Sequence, residues 1–134
     1  MTDTQSRQQI TILGSTGSIG VNTLKVVAAN PEDYEVFALS ARSQVDVLFQ
    51  QCMEFRPRLA VMVDAAAARE LSNKLQAEGS NARVMSGTAA LQEIAAHESC
   101  DIVMAAIVGG AGLLSSLAAA RAGKRILLAN KEAL

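Results

Sequence analysis

Six short apolar segments rich in β-branched residues alternate along the chain with stretches whose apolar residues recur at helical spacing. This alternation is typical of repeated βα units, in which each strand is followed by a helix. Most of the strand segments are continuous apolar runs, such as DIVMAAI at 101–107. A strand of that kind hides both of its faces, which requires helices on both sides of a parallel sheet. The sequence therefore predicts an α/β fold with an open, doubly wound, mostly parallel sheet and helices on both faces.

These segments fit into one domain. Residues 1–8 form a polar tail, and residues 9–134 form the domain, which at this length buries a single core. The predicted strands are 9–13, 35–40, 59–63, 82–85, 101–107 and 125–128. The predicted helices are 18–29, 45–55, 65–77, 88–96 and 112–122.

Polar residues and glycines mark several helix ends. Ser43 and Asp46 have the spacing of a capping box that opens the second helix. Asp64 precedes the alanine-rich third helix and is predicted to cap it. Gly79 and Gly123 suit the left-handed residue that follows a helix.

Charge and composition exclude several classes of protein. The net charge is −1 and 19% of residues are charged, so the chain lacks the basic stripe that nucleic-acid binding requires. The polar start at 1–9 lacks the apolar segment of a signal peptide, and glycines and serines interrupt the apolar stretch 102–120. We therefore expect a soluble, cytoplasmic protein that binds neither nucleic acid nor membrane.

The first predicted strand runs into GSTGSIG at 14–20 and then into an amphipathic helix, which is the context that a dinucleotide site requires. Gly14 permits the sharp turn off the strand, Gly17 lets the backbone approach a pyrophosphate, and Gly20 lets the helix lie close on the sheet. The phosphates would meet the N–H groups of residues 16–19 at the positive end of the helix dipole. Hydroxyl donors would come from Ser15, Thr16 and Ser18. The alternative is a tight βα turn that uses glycine for packing alone.

The end of the second predicted strand favours NADP over NAD. A site that prefers NAD places an acidic residue there for the ribose 2′-hydroxyl, and this chain has Arg42, Ser43 and Gln44 instead. A guanidinium can bind the additional 2′-phosphate of NADP through two parallel hydrogen bonds. The alternatives are that Arg42 is a solvated loop charge and that Ser43 is only a helix cap.

Two later segments follow strands at the same edge of the predicted sheet, where the rest of a dinucleotide would lie. Residues 105–112 supply small side chains suited to a flat ring, although a helix entry without a ligand explains them as well. Asn130, Lys131 and Glu132 offer groups for a nicotinamide ribose and an anionic or carbonyl substrate, or else form an exposed first helical turn.

The other polar residues do not assemble a catalytic centre. Cys52 and Cys100 are too far apart in sequence for a zinc pair and are expected to be buried thiols. His97, the single histidine, lies near the end of the fourth predicted helix, where we expect a surface residue away from the ligand edge. The carboxylates do not adopt metal-ligand spacing, so we predict no catalytic and no metal-binding residue in this chain.

Three blocks in order, ILGSTGSIG at 12–20, MAAIVG at 104–109 and LLANKE at 127–132, resemble the 1-deoxy-D-xylulose 5-phosphate reductoisomerase family. The resemblance implies a Rossmann-like, NADPH-binding domain of an enzyme that also needs a divalent metal, magnesium or manganese. It implies isomerisation of 1-deoxy-D-xylulose 5-phosphate and its reduction to 2-C-methyl-D-erythritol 4-phosphate, in the non-mevalonate route to isoprenoids.

The resemblance also assigns roles to single residues. Cofactor phosphates and ribose would contact Thr16, Gly17, Ser18 and Ile19. Asn130 and Glu132 would bind the nicotinamide portion, and Lys131 would reach the substrate. Many relatives carry glycine and asparagine after the second strand, where this chain has the RSQ sequence of residues 42–44.

Members of this family are longer, and most are homodimers. We therefore expect a chain truncated before the catalytic and C-terminal domains, which by itself binds NADPH without turnover. The alternatives are another NADP-linked dehydrogenase domain and a module that senses a dinucleotide without reacting with it.

Overall fold

The computed structural model describes residues 7–107 and 110–128, which form six strands and five helices in the predicted order. The strands are β1 (Gln8–Leu13), β2 (Tyr34–Ala41), β3 (Leu59–Met62), β4 (Arg83–Ser86), β5 (Ile102–Ala105) and β6 (Arg125–Leu128). The helices are α1 (Ser18–Ala29), α2 (Val45–Phe55), α3 (Ala65–Ala77), α4 (Thr88–Ala96) and α5 (Gly110–Arg121). Within these residues, no helix has the length and hydropathy needed to cross a membrane.

All six strands pair in parallel in the order β4-β3-β2-β1-β5-β6. The chain runs outward from β1 to β4 on one side, then crosses over to β5 and continues outward to β6. The order therefore reverses between β1 and β5, and this is the switch point at which open α/β sheets bind ligands.

Helices cover both faces of the sheet, which confirms the doubly wound fold. Apolar residues of α1, α2 and α3 pack with one face of the strands, and those of α4 and α5 pack with the other. In β3, Ala60 and Met62 join the first core while Val61 joins the second. Because successive strand residues point to opposite faces, a strand buried on both sides needs the continuous apolar run seen in the sequence.

Most helix ends agree with the sequence, but the predicted capping box does not form. Asp64 accepts a hydrogen bond from the Ala67 N–H (2.9 Å), as predicted. Gly79 (φ 74°) adopts a left-handed conformation after its helix. The capping box is wrong because α2 begins at Val45, which places Ser43 one residue before the N-cap position and out of register with the first turn. The first turn of α2 has no side-chain cap in the described structure.

The β5–α5 region differs slightly from the prediction. β5 covers 102–105 and not the whole apolar run, and α5 begins at Gly110 and not at residue 112. Gly112 lies inside the helix, where a Cβ atom would collide with the Ile107 carbonyl oxygen. The absence of a side chain there lets the start of α5 lie directly on the chain that leaves β5.

Glycines shape the turn between β1 and α1 in the same way. Gly14 has φ 81°, a conformation that side chains disfavour, so the predicted sharp turn is confirmed. A Cβ atom on Gly20 would collide with the Gly14 carbonyl oxygen. Gly17 is different, because a Cβ atom there would be 3.9 Å from its nearest neighbour. The fold thus requires glycine at 14 and 20, but not at 17.

Both cysteines are buried free thiols, as predicted. Burial raises the pKa of Cys52 to about 12, because a thiolate would lose its hydration in the core between α2 and the sheet. Burial also raises the pKa of Cys100, which lies in the core on the opposite face.

Replacing Gly20 by alanine is expected to lower the free energy of unfolding by about 1 to 3 kcal/mol, because the methyl group collides with the main chain of the turn. Gly17→Ala is the matched control and should change the free energy of unfolding by less than about 0.5 kcal/mol. The position is open, and its φ of −79° suits alanine. Urea denaturation measures both values. Equal losses in the two variants would contradict the packing described for Gly20.

The raised pKa of Cys52 predicts a stability loss at alkaline pH. The folded state keeps this thiol neutral, so its contribution is complete below the ordinary thiol pKa of 9.0 and falls as pH rises towards about 12. The decrease in the free energy of unfolding between pH 8 and pH 10 should be about 1 kcal/mol smaller in Cys52→Ala than in the unmodified chain. Urea denaturation at each pH provides the comparison, and parallel losses would contradict the prediction.

Candidate functional site

A cleft of about 380 Å³ opens at the carboxyl edge of the sheet, beside the switch point between β1 and β5. Its lining comes from the turn after β1, the ends of β2 and β3, the start of α4, and the segment that connects β5 to α5. The residues in these places include Thr16, Gly17, Arg42, Thr88 and Ala106. Sequence-distant segments therefore meet at the edge where the sequence predicted a ligand.

Two larger clefts lie elsewhere on the described surface. One of about 630 Å³ lies between α1 and α2, and one of about 660 Å³ lies at the amino edge of β3 and β4. Parallel α/β sheets bind ligands at the carboxyl edge, where loops and helix N-termini converge. The position of the smaller cleft in the fold, and not its volume, therefore marks it as the candidate functional site.

The turn before α1, of which Thr16 and Gly17 line the cleft, carries N–H groups that have no backbone acceptor in the described residues. Within the described chain, the N–H groups of Thr16, Ser18 and Ile19 donate to no backbone carbonyl. Gly17 occupies the N-cap position, so it supplies no side-chain acceptor for them. Gly17, Ser18 and Ile19 are exposed. Free donors at the positive end of a helix form a site for an anion.

Arg42 adds a formal charge to the same cleft. Among the described residues that line it, Arg42 carries the one charged side chain. The two ion pairs in the described residues lie elsewhere, at Arg7–Glu35 and Lys74–Asp46. Ser43 and Gln44 are exposed on the following loop but do not line the cleft. The electrostatic character of the cleft is therefore that of an anion site with one guanidinium.

Ser15 occupies a different position from the one predicted. Its side chain is fully buried, and its hydroxyl donates to the Gln51 Oε1 atom at 2.7 Å, with the Ser40 carbonyl oxygen at 3.2 Å. The prediction that this hydroxyl serves as a ligand donor is therefore wrong. It points into the protein because the sharp turn at Gly14 directs the next residue beneath the loop.

Two residues that hold the turn in place are absent from the sequence-based prediction. Ser40 accepts from Gly14 N–H through its Oγ atom (3.0 Å) and from Ser15 N–H through its carbonyl oxygen (2.8 Å). Gln51 donates from Nε2 to the Ser15 carbonyl oxygen (2.9 Å). A signal existed for Gln51, because it is a polar residue on the helix face that also carries the buried Leu48 and Cys52.

The remaining predicted residues fall in three places. Gly14 lines the cleft, while Gly20 is buried beneath the turn. Ala106, Ile107 and Ala111 supply the small and apolar wall expected from the 105–112 segment, of which 108 and 109 lie outside the described residues. Asn130, Lys131 and Glu132 also lie outside the described residues.

His97 lies at the opposite edge of the sheet, as predicted. Its Nδ1 atom accepts from the Ser99 N–H (3.0 Å), and its ring packs on Phe37 with 4.7 Å between centroids. It is half-buried and supports the turn that follows α4. The described part of the chain contains no group of three His, Cys, Asp or Glu residues placed to hold a metal ion.

Solved structures with the same fold include proteins of one enzyme class. A DOX-P reductoisomerase in complex with NADPH, fosmidomycin and magnesium is 48% identical, with a TM-score of 0.89 over 95% of this chain and 31% of that chain. A 1-deoxy-D-xylulose 5-phosphate reductoisomerase from Zymomonas mobilis in complex with NADPH is 40% identical, with a TM-score of 0.87 over 96% of this chain and 33% of its own.

Curated relatives give the same result. The 1-deoxy-D-xylulose 5-phosphate reductoisomerase of Aromatoleum aromaticum is 58% identical over 127 residues, and that of Cupriavidus metallidurans is 61% identical over 127 residues. These matches cover 95% of this chain and 32% of each relative, so the chain spans about a third of their length. The model of the 1-deoxy-D-xylulose 5-phosphate reductoisomerase family matches residues 10–134. The sheet, the cleft at its switch point and these matches together show that the chain belongs to the 1-deoxy-D-xylulose 5-phosphate reductoisomerase family.

Proposed function

We propose that this chain is the NADPH-binding part of a reductoisomerase, which isomerises 1-deoxy-D-xylulose 5-phosphate and reduces it to 2-C-methyl-D-erythritol 4-phosphate with hydride from NADPH. Membership of the family and the NADPH complexes of similar proteins support this proposal. The step would feed isoprenoid synthesis by the non-mevalonate route.

The observation that carries the proposal is the set of N–H groups around Gly17 that have no backbone acceptor within the described residues. Packing explains the glycines at 14 and 20, but Gly17 faces open space, where a Cβ atom would lie 3.9 Å from its nearest neighbour outside the adjacent residues. Its missing side chain leaves room for a ligand next to the N–H groups of Thr16, Ser18 and Ile19. A pyrophosphate bridge has the charge and the acceptors that such a helix N-terminus binds.

Arg42 would bind the 2′-phosphate that distinguishes NADPH from NADH. It follows β2, where an NAD site would carry an acidic residue, and it shares the cleft with the glycine turn. Ser43 and Gln44 would add contacts at the outer end of the adenosine ribose. Their exposure at the start of α2 leaves them accessible to a ligand that extends beyond the cleft.

The nicotinamide half would lie on the other side of the switch point. Ala106, Ile107 and Ala111 form an apolar wall of the cleft, against which the flat nicotinamide ring would pack. We propose that Asn130 and Glu132 bind the nicotinamide portion and that Lys131 reaches the substrate, as the family resemblance implies. β6 ends at Leu128, so these residues follow a parallel strand of the same sheet.

Further parts of the proposal concern the longer protein. The divalent metal would be Mg²⁺ or Mn²⁺, and similar solved structures contain magnesium. Its ligands and most of the sugar-phosphate pocket would lie in the two thirds of the relatives' length that this chain does not span. From the family resemblance we also propose a cytoplasmic homodimer.

Calorimetric titration with NADPH tests the proposed phosphate site. Gly17→Ala is expected to weaken NADPH binding by about tenfold or more, because the methyl group occupies the space through which the pyrophosphate approaches the backbone. The melting temperature should stay near that of the unmodified protein. Unchanged NADPH affinity in a folded Gly17→Ala variant would refute this placement of the phosphates.

Cofactor preference tests the role of Arg42. Arg42→Ala should weaken NADPH binding by about tenfold or more and leave NADH binding nearly unchanged, because only NADPH carries the additional phosphate. Arg83→Ala is the matched control, since Arg83 is exposed at the opposite edge of the sheet. The assignment fails if both cofactors lose affinity equally in Arg42→Ala.

A further inference from the structure

We infer that Gln51 is a positioning residue that orients the phosphate-binding N–H groups of the turn after β1. The inference rests on the proposed cofactor site and adds to it a residue of α2 that lies beneath the turn. Gln51 does not line the cofactor cleft, so it would act through the main chain of the turn and not by contact with the ligand.

The Gln51 amide holds one residue of the turn at two points. Its Nε2 atom donates to the Ser15 carbonyl oxygen at 2.9 Å, and its Oε1 atom accepts from the Ser15 hydroxyl at 2.7 Å. Gln51 is 8% exposed and Ser15 is fully buried, so little water reaches this pair. Hydrogen bonds in such surroundings are costly to lose, because an unpaired buried group keeps its desolvation penalty.

Peptide geometry links these bonds to the ligand side of the turn. The Ser15 carbonyl and the Thr16 N–H belong to one planar trans peptide, in which the two groups point in opposite directions. Holding the carbonyl oxygen towards α2 therefore directs the Thr16 N–H away from α2. Thr16 lines the cleft, and within the described residues its N–H has no backbone acceptor.

The preceding peptide is fixed by a different residue. Ser15 N–H donates to the Ser40 carbonyl oxygen (2.8 Å), and Gly14 N–H donates to the Ser40 hydroxyl oxygen (3.0 Å). Ser40 thus anchors the beginning of the turn, and Gln51 anchors the peptide that carries the Thr16 N–H. Loss of Gln51 would release the Ser15–Thr16 peptide alone, while the bonds from Ser40 remain.

The arrangement requires an amide at position 51. Leucine is similar in size but supplies neither bond, and glutamate keeps an acceptor but places a carboxylate beside the Ser15 carbonyl oxygen when ionised. A protonated glutamate would restore an O–H donor in place of Nε2. The variants Gln51→Leu and Gln51→Glu therefore separate the role of the hydrogen bonds from that of side-chain volume.

The first experiment measures NADPH affinity by calorimetry and steady-state kinetics in the full-length protein. Gln51→Leu is expected to raise the Kd and the KM for NADPH about tenfold, while kcat and the KM for the sugar phosphate stay within about twofold. A variant that only loses stability would instead lose kcat at unchanged KM. Gln50→Leu, at the neighbouring exposed position of α2, is the matched control and should behave like the unmodified protein.

The second experiment uses pH and remains decisive if Gln51→Leu does not fold. The ligand is NADP⁺, because it tolerates acid better than NADPH. Its affinity for Gln51→Glu and for the unmodified protein is measured at pH 6 and at pH 9, and the ratio of the two affinities is calculated at each pH. Burial raises the pKa of a carboxyl introduced at position 51, so it is protonated at pH 6 and ionised at pH 9, and this ratio should be about tenfold lower at pH 9 than at pH 6. The same ratio for Gln50→Glu should stay constant, because a carboxyl at that exposed position is ionised at both pH values.

The inference is overturned if a folded Gln51→Leu binds NADPH within twofold of the unmodified protein. It is also overturned if the Gln51→Glu ratio stays within twofold of one at both pH values. If the unmodified protein itself does not bind NADPH, the proposed function fails, which is distinct from either of these outcomes.

Discussion

The close contact between the start of α1 and the turn that leaves β1 is the constraint on which the rest of the site depends. Gly20 lies against the Gly14 carbonyl oxygen and the Ser15 backbone at a distance that leaves no space for a side chain. This contact brings the first turn of α1 to the carboxyl edge of the central strand. Thr16 and the N-cap residue Gly17 thereby line the cleft at the switch point between β1 and β5. Any side chain at position 20 would hold α1 further from the turn after β1.

Sequence reasoning predicted the architecture well because its signals are local and repeated. The continuous apolar runs of the strands follow from burial on both faces, and the helix bounds at 18–29, 45–55, 65–77 and 88–96 agree with the structure. The prediction of a helix cap failed, because capping depends on the exact residue at which a helix begins. Ser43 has the right spacing to Asp46 for a capping box, but α2 begins one residue too late for its hydroxyl to cap.

The residues that line the cleft were easier to predict than those that hold the turn after β1 in place. A glycine-rich turn after a strand is visible in sequence, and so is an arginine after the next strand. The direction of the Ser15 side chain is not visible there, because it depends on the left-handed conformation of Gly14. Gln51 was missed for another reason: its partner lies 36 residues earlier, and only the packing of α2 on the sheet brings the two together.

The close contact of Gly20 has a counterpart at the neighbouring strand. Leu13 of β1 pairs with Ala105 of β5, and Gly20 and Gly112 each follow their paired residue by the same number of positions. Both glycines press against a carbonyl oxygen of the preceding turn. The start of each of these two helices, α1 and α5, is therefore in direct main-chain contact with the turn that precedes it. Contacts of this kind do not depend on side-chain rotamers, so the backbone alone sets how closely α1 and α5 approach the strands that they follow.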